Sequence, residues 1–396
     1  MDDRWLVHEV TAEVFHMPLH CLRNWAIFLA LILTASAAPW KHPQGWWIDP
    51  PVGWSSETNE GPALIGFSDP EGLARFQVFT FDAGRFSDLP ALEAFFSNRL
   101  KWSGEIMPIP WGPWSCSLAL GKSALAAEPF TVIAGFWHHP ELGSRVAWGT
   151  VPERQASTRE GSMLSVIDSI APEHARRYEP GLVGRGRGGF DGPRPAVNLR
   201  FGGEILRADL RPAEIESARR VVRRERDLLL RYADAGREAQ YEAMGRFYRI
   251  VYRNAWSGLE TFAGSLEGFF RHRAMGDAEK VGFLTGAIFL YEDGTNRSDA
   301  LETPFDMLLQ ESGDCDSKTL FLTLLLNRLG VEGEFLFSLE DHHAFIGLPA
   351  RYLTGKQTPF LTGLRGTPLV GINMVQHPVT NFYRSDRWRA IELRMD

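Results

Sequence analysis

Cysteine is scarce in this chain, and several common catalytic motifs are missing. The 396 residues include only three cysteines, Cys21, Cys116 and Cys315, with no CxxC pair and no zinc-ligand spacing. Three cysteines are too few for a disulfide framework. The chain also lacks GxSxG, HExxH and P-loop motifs. The net charge of −7 gives no basic field, so nucleic acid is not predicted as a partner.

A long apolar run is also missing. The run from Trp25 to Ala38 is shorter than the ~20 residues that a membrane span needs. Arg23 precedes it and an A-x-A site ending at Ala37 follows, which is typical of a secretory signal peptide. We therefore predict a leader over residues 1–37, with Met17 as an alternative start, and a periplasmic or extracellular protein. The alternative is an uncleaved leader, which would be the only membrane attachment.

The length predicts more than one domain after the leader. Residues 38–178 read as an N-terminal α+β domain with strand-like runs and helical patterns in alternation. The strand-like runs are Ala63–Phe67, Arg75–Phe81, Phe130–Trp137 and Arg145–Val151, and the helical patterns are Leu89–Leu100 and Gly161–Ile170. This layout, with an aromatic turn at its start, resembles the PsbP/Mog1-like α/β/α sandwich.

Residues 179–210 are rich in Gly, Arg and Pro and are predicted to be a linker. They contain Gly184-x-Gly186-x-x-Gly189, a formal dinucleotide-binding pattern. We reject it because no strand precedes it. Residues 211–275 are predicted to be a helical connector of two helices, the second with one apolar stripe. The first carries a row of arginines, which favours a solvated face over a contact with anionic lipid or polymer.

The chemistry-bearing residues begin in the C-terminal third. Thr303-Pro304 is a helix start, and Ser312-Gly313 ends that short helix. A Gly-Asp-Cys-Asp turn then leads into a second, strongly apolar helix that ends at Gly330. Cys315 therefore lies at a helix N-terminus, where free N–H groups favour an anion. We predict that its thiol pKa is lowered.

Two strands follow the cysteine helix. Glu334–Leu339 is strand-like, and His342-His343 opens the next strand after a tight turn. His343 is the candidate base for the thiol, while His342 is expected to point to the opposite face. A third polar group should fix the imidazole tautomer. Glu392 in the last strand is the first candidate.

At these residues the chain resembles the transglutaminase-like superfamily of papain-like thiol enzymes. The resemblance rests on the Gly-Asp-Cys turn with its helix, on His343-Ala344-Phe345, and on an acid four residues after Trp388. It implies a domain over residues 276–396, in which the cysteine helix packs on an antiparallel sheet. It also implies a triad of Cys315, His343 and Glu392, for which Asp386 and Asn381 are the rivals of Glu392.

The remaining polar residues of the turn have weaker predicted roles. Asp314 and Asp316 are expected to cap the helix. Their two carboxylates give only weak support for a calcium site, which takes about six to eight oxygen ligands. No other cofactor is predicted. The leading hypothesis is an exported thiol hydrolase or acyltransferase that acts on a protein or peptide amide through an acyl-enzyme. The alternative is a non-catalytic module that keeps the cleft and docks a cell-envelope partner.

Overall fold

A computed structural model describes residues 39–58, 64–123, 129–186, 190, 192–293, 301–353, 361–375 and 387–393. The predicted leader, Asn381 and Asp386 lie outside these residues. Within them, no helix combines the length and the apolar character needed to cross a membrane. The fold is α+β, as predicted.

The N-terminal part is built on an antiparallel sheet of seven strands. A short hairpin of β1 (Trp40–Lys41) and β2 (Trp47–Ile48) precedes the sheet. The sheet strands are β3 (Ser55–Thr58), β4 (Leu64–Ser68), β5 (Arg75–Phe81), β6 (Trp102–Trp111), β7 (Trp114–Ser123), β8 (Phe130–His139) and β9 (Gly143–Pro152). They lie in the order β3-β4-β5-β9-β8-β7-β6. The sequence analysis predicted four of these strands and missed β3, β6 and β7.

One helix covers each face of this sheet. They are α1 (Leu89–Arg99) and α2 (Ala156–Ser169). Alternate side chains of a strand point to opposite faces, and β8 shows this directly. Val132 and Phe136 belong to the core under α1, whereas Ile133 and Trp137 belong to the core under α2. The helix–sheet–helix layering agrees with the sandwich-like N-terminal domain expected from the sequence.

The segment predicted as a linker contains regular structure. Helix α3 (Leu182–Arg185) is followed by a hairpin of β10 (Ala196–Phe201) and β11 (Glu204–Asp209). Gly202 and Gly203 form its turn with φ of 56° and 85°. Two consecutive positive φ angles are the requirement of a type I′ turn, which explains the Gly-Gly pair. The hairpin buries apolar side chains in the C-terminal core, so the segment differs from a solvated linker.

The helical connector consists of three helices where the sequence predicted two. They are α4 (Pro212–Leu229), α5 (Arg237–Trp256) and α6 (Glu260–His272). The single predicted apolar stripe spans α5 and α6, which a short 3₁₀ turn, Ser257–Leu259, separates. A Cβ at Gly258 would lie 2.5 Å from the Phe305 ring, so glycine permits close packing at this break.

The arginine row of α4 makes ion pairs within the protein. Arg224 contacts Asp168 and Glu225 at 2.8 and 2.7 Å, and Arg219 contacts Asp306. The expectation of a simple solvated face is therefore wrong for Arg224, which packs inside. Periodicity could not reveal this, because Asp168 and Asp306 come from distant parts of the chain.

Helix α5 carries buried arginines that bind the N-terminal part. Arg246 donates to the Asp49 carbonyl and to Glu225, and Arg249 makes two hydrogen bonds to the Asp49 carboxylate. Arg253 donates to four backbone carbonyls, three of them at the end of α2. Burial lowers the pKa of Arg253 to about 10. These contacts satisfy the unpaired carbonyls of a helix C-terminus and join α5 to α2 and to Asp49, which follows β2.

The C-terminal part contains a second antiparallel sheet with a helix on it. After α7 (Asp277–Phe289) come β12 (Glu292–Asp293), α8 (Pro304–Gln310), β13 (Ser312–Gly313) and α9 (Cys315–Arg328). The sheet strands are β14 (Glu334–Ser338), β15 (His343–Pro349), β16 (Leu361–Thr362), β17 (Pro368–Ile372) and β18 (Arg389–Ile391), in the order β16-β17-β15-β14-β18. Apolar residues of α9 share one core with β14 and β15. The predicted cysteine-bearing helix on an antiparallel sheet is confirmed.

Candidate thiol site

The Gly-Asp-Cys turn fixes the start of α9. Asp314 is the N-cap, and its Oδ1 accepts a hydrogen bond of 2.8 Å from the Ser317 N–H. Gly313 must be small, because a Cβ there would lie 2.2 Å from Sδ of Met307. Cys315 is therefore the first helical residue, as predicted, and its N–H belongs to the set that has no partner inside the helix.

A buried lysine anchors this turn. Lys318 is 1% exposed, and its Nζ donates to the Tyr291 carbonyl at 2.8 Å and to Asp293 Oδ1 at 2.6 Å. Asp293 lies in β12, which pairs in parallel with β13. Lys318 thus ties the first turn of α9 to the strand beside the Gly-Asp-Cys turn. Sequence reasoning missed it, although a lysine on a strongly apolar helix face was the available signal.

The Cys315 thiol faces a carboxyl group. Its Sγ donates to Asp316 Oδ1 at 3.2 Å, and the Ala344 backbone N–H faces the sulfur. Desolvation raises the pKa of the Cys315 thiol, the carboxylates of Asp316 and Asp314 raise it further, and the Ala344 N–H lowers it. The prediction of a lowered pKa is therefore wrong for this arrangement, because desolvation and two negative charges outweigh the helix N-terminus.

Asp316 does not cap the helix. Its Oδ2 accepts a hydrogen bond of 2.5 Å from the Tyr248 hydroxyl of α5. Desolvation and the Asp314 charge raise the pKa of Asp316 to about 7, against the hydrogen bonds from Tyr248 and Cys315, which lower it. Asp314 and Asp316, the basis of the calcium alternative, are thus engaged by Ser317 and Tyr248. Within the described part of the chain, no three His, Cys, Asp or Glu side chains converge as a metal site.

His343 is the first residue of β15, and its ring is held by an amide. Its Nε2 lies 2.9 Å from Asn373 Oδ1, which also accepts the Val375 N–H at 3.2 Å. The Val375 N–H donates to this Asn373 atom, so the atom is the amide oxygen and can only accept. Nε2 of His343 is therefore the donor, and Nδ1 keeps its lone pair. Desolvation lowers the pKa of His343, while Asn373 and Asp341 act to raise it. The lowered pKa favours the neutral imidazole, whose Nδ1 can act as a base.

The Cys315 thiol and the His343 imidazole lie close to the same end of β15. Sγ of Cys315 faces the N–H of Ala344, and the ring belongs to the preceding His343. Among the hydrogen bonds of the described residues, none joins Sγ to the His343 ring. The structure thus brings the two predicted groups to the same end of β15, with the thiol turned toward Asp316.

His342 lies in the turn before β15. Its φ is 46°, so it precedes the strand instead of alternating with His343 along it. The prediction placed His342 inside the strand, whereas the strand begins at His343 and His342 ends the turn before it. His342 is exposed, whereas His343 is 7% exposed. The burial difference separates the two histidines, because only His343 is enclosed by the fold.

Glu392 lies at the far end of the sheet from His343. The strand β18 pairs with β14, with Ile391 opposite Phe335, whereas His343 lies opposite Ser338. Glu392 acts on the pKa of Glu334 and is exposed. At ~3.3 Å per residue this places it roughly 13 Å along the strand from the histidine. Trp388, in contrast, lies near His343. Its ring centroid is 6.3 Å from that of His343 and 4.2 Å from that of Phe345.

Asn373 is the polar partner that sequence reasoning missed. It follows β17, which is the neighbour of β15 in the sheet. In the segment after Pro349, the sequence analysis considered Asn381 and Asp386 as rivals of Glu392. It did not consider Asn373. The available signal was the apolar run Pro368–Ile372 with an amide directly after it.

Comparisons with known proteins give no family for this chain. No family model matches it, and no curated protein matches it. Among solved structures, it is similar to cyanobacterial PsbP (CyanoP) from Synechocystis sp. PCC 6803, at 12% identity over 35% of this chain and 95% of that chain, with a TM-score of 0.29. A Bacteroides thetaiotaomicron crystal structure at 1.50 Å resolution is similar at 14% identity over 57% of this chain and 80% of that chain, with a TM-score of 0.24. Likenesses this low carry no functional argument.

Proposed function

We propose that this chain is an exported, transglutaminase-like thiol enzyme that acts on a peptide or protein amide through an acyl-enzyme. Cys315 is the nucleophile, His343 is the base and then the acid, and Asn373 orients the imidazole. The observation that carries the proposal is the Asn373–Val375 arrangement, which leaves Nδ1 of His343 as a proton acceptor at the strand end where Sγ lies. Export rests on the leader pattern alone.

The steps follow from these groups. The thiol proton passes to Nδ1, and the sulfur electron pair attacks the amide carbonyl carbon. The developing oxyanion is stabilised by N–H groups at the start of α9. The imidazolium returns the proton to the leaving amine, and the acyl group stays on sulfur as a thioester. Water or a second amine then releases it, with His343 again as the base.

A non-catalytic binding module is the second candidate, and one observation favours it. The hydrogen bond of Sγ goes to Asp316, not to His343. A module that keeps this fold and docks a cell-envelope partner needs no activated thiol. The two candidates differ in whether Cys315 accepts an acyl group.

Acylation by a small activated ester separates the candidates. The full chain is mixed with p-nitrophenyl acetate, and the p-nitrophenolate burst and the acylated peptide are measured. The enzyme hypothesis expects a burst and an acyl group on Cys315, both absent in Cys315→Ala and slowed by about 100-fold or more in His343→Ala. A wild-type protein that leaves Cys315 unacylated supports the binding module.

A further inference from the structure

The Cys315 thiol, Asp316 and Tyr248 form a continuous hydrogen-bonded chain. The S–H group donates to one oxygen of the carboxylate, and the Tyr248 hydroxyl donates to the other. Tyr248 is 1% exposed and lies on α5, which the Arg246 and Arg249 contacts fix to the N-terminal part. The carboxylate is therefore held in place from a second helix and cannot follow the thiol if the thiol rotates.

We propose that Asp316 and Tyr248 hold the Cys315 thiol in a protonated resting position, and that substrate binding transfers its hydrogen bond from Asp316 to His343. Asp316 is thus a positioning residue and a restraint, not a member of the reacting set. The inference rests on the proposed function for its second half. The restraint itself depends only on the contacts of Asp316.

Each proton in the proposed switch has a defined donor and acceptor. In the resting form the proton is on sulfur, Nε2 of His343 carries its own hydrogen toward Asn373, and Nδ1 has a lone pair. In the proposed switch, rotation about the Cα–Cβ bond of Cys315 carries Sγ from Asp316 toward Nδ1. The proton moves from sulfur to Nδ1, the electron pair remains on sulfur, and a thiolate–imidazolium pair results. Asp316 keeps the hydrogen bond from Tyr248 throughout.

The groups around the carboxyl agree with a restraint that opposes thiolate formation. Asp314 and Cys315 face Asp316 from its own helix, Tyr248 faces it from α5, and the Ala344 N–H faces the sulfur from β15. The only charges among these groups are acidic. An ionised Asp316 therefore repels a thiolate on the neighbouring residue, and loss of its charge should relieve that repulsion.

The alkylation rate of Cys315 with iodoacetamide tests the restraint in the full chain. The rate is followed by peptide mass spectrometry between about pH 6 and about pH 9, where a thiol titrates. Asp316→Asn should alkylate about tenfold faster than wild type at neutral pH, the change expected for a thiol pKa lower by about one unit. Asp314→Asn is the matched control, because it removes a carboxylate charge that also raises the thiol pKa but keeps a capping side chain and makes no hydrogen bond to the thiol, so it measures the effect of charge alone.

The remaining variants make the outcome decisive. Tyr248→Phe should also accelerate alkylation, by less, because the unpaired carboxyl becomes easier to protonate. The buried Cys116 reports on folding, since it reacts only if the chain opens. If Asp316→Asn reacts no faster than Asp314→Asn while Cys116 stays protected, the restraint does not exist; if Asp316→Asn unfolds, Tyr248→Phe decides in the same way.

Failure of the restraint and failure of the proposed function give different results. Faster alkylation in Asp316→Asn without any acylation by p-nitrophenyl acetate keeps the restraint and rejects the enzyme. Acylation of Cys315 that depends on His343, with unchanged alkylation in Asp316→Asn, keeps the enzyme and rejects the restraint.

Discussion

His343 donates its Nε2 hydrogen to Oδ1 of Asn373, at 2.9 Å, from the strand that lies beside the one Asn373 follows. The contact joins two neighbouring strands, so it depends on the strand order and not on the distance along the chain. It fixes which imidazole nitrogen is free. An amide in this position orients the ring without adding a charge.

Asn373→Ala should slow acylation of Cys315, to a rate between those of wild type and His343→Ala. The imidazole remains, but its tautomer and orientation are no longer fixed. Because the Asn373 hydrogen bond raises the pKa of His343, its loss should also move the acid limb of the pH–rate profile to lower pH. The measurement is the p-nitrophenolate burst as a function of pH.

Glu392→Gln is the control for that prediction. Glu392 is exposed at the opposite end of the sheet, so the substitution should leave both the rate and the profile unchanged. A large loss in Glu392→Gln with little change in Asn373→Ala would restore the acid predicted from the sequence.

Gly313→Ala should destabilise the fold by about 1–3 kcal/mol and reduce acylation, because the new methyl group meets Met307 inside a packed core. Chemical denaturation gives the free energy of unfolding. Gly264→Ala is the comparison, since no heavy atom lies within 4 Å of its Cβ position on α6. There the change should be neutral or stabilising by up to about 1 kcal/mol, and equal losses at both sites would contradict the steric argument.

Lys318→Met should cost about 2–4 kcal/mol of unfolding free energy, because it leaves the Tyr291 carbonyl and Asp293 without their buried cation. Lys280→Met removes a lysine from the short-range pair with Asp277 at the start of α7. That pair is of the surface type, and its loss should cost less than about 1 kcal/mol. Similar costs for the two variants would mean that Lys318 does not anchor the turn.

Asp316→Asn should raise the thermal stability at alkaline pH and have little effect in acid. The folded-state pKa of about 7 lies above the usual value for aspartate, so the folded state binds the extra proton between the two values. Stability from this group is present in acid and is lost as the pH rises through about 7. An asparagine has no proton to lose, so the difference from wild type should grow with pH in thermal unfolding scans. A constant difference across pH would contradict the raised pKa.

The sequence predicted the local parts of the site well. The glycine and aspartate before Cys315 define a helix start, and the apolar pattern after it defines a buried helix. His343 follows a turn and opens a strand, as predicted. These features depend on neighbours a few residues away, where capping and periodicity act.

The third polar group could not be read in the same way. Glu392 lies in a strand of the same sheet, but β18 pairs with β14, whereas β17 pairs with β15. Which strand lies next to the histidine is decided by packing of the whole sheet. The direction of the Asp316 side chain likewise depends on Tyr248, which lies on another helix.

Helix α5 contacts Asp49 and the end of α2 through its arginines, and it contacts Asp316 beside the thiol through Tyr248. The two sheets are therefore poor candidates for separate expression or for exchange as interchangeable modules. A fragment starting near residue 211 would keep Glu225 beside Arg246, but Arg249 would lose the Asp49 carboxylate and Arg253 would lose its backbone carbonyl partners at the end of α2. Tyr248 would then lie on a helix that has lost the contacts holding it in place. The reactivity of Cys315 in such a fragment would therefore differ from that in the full chain.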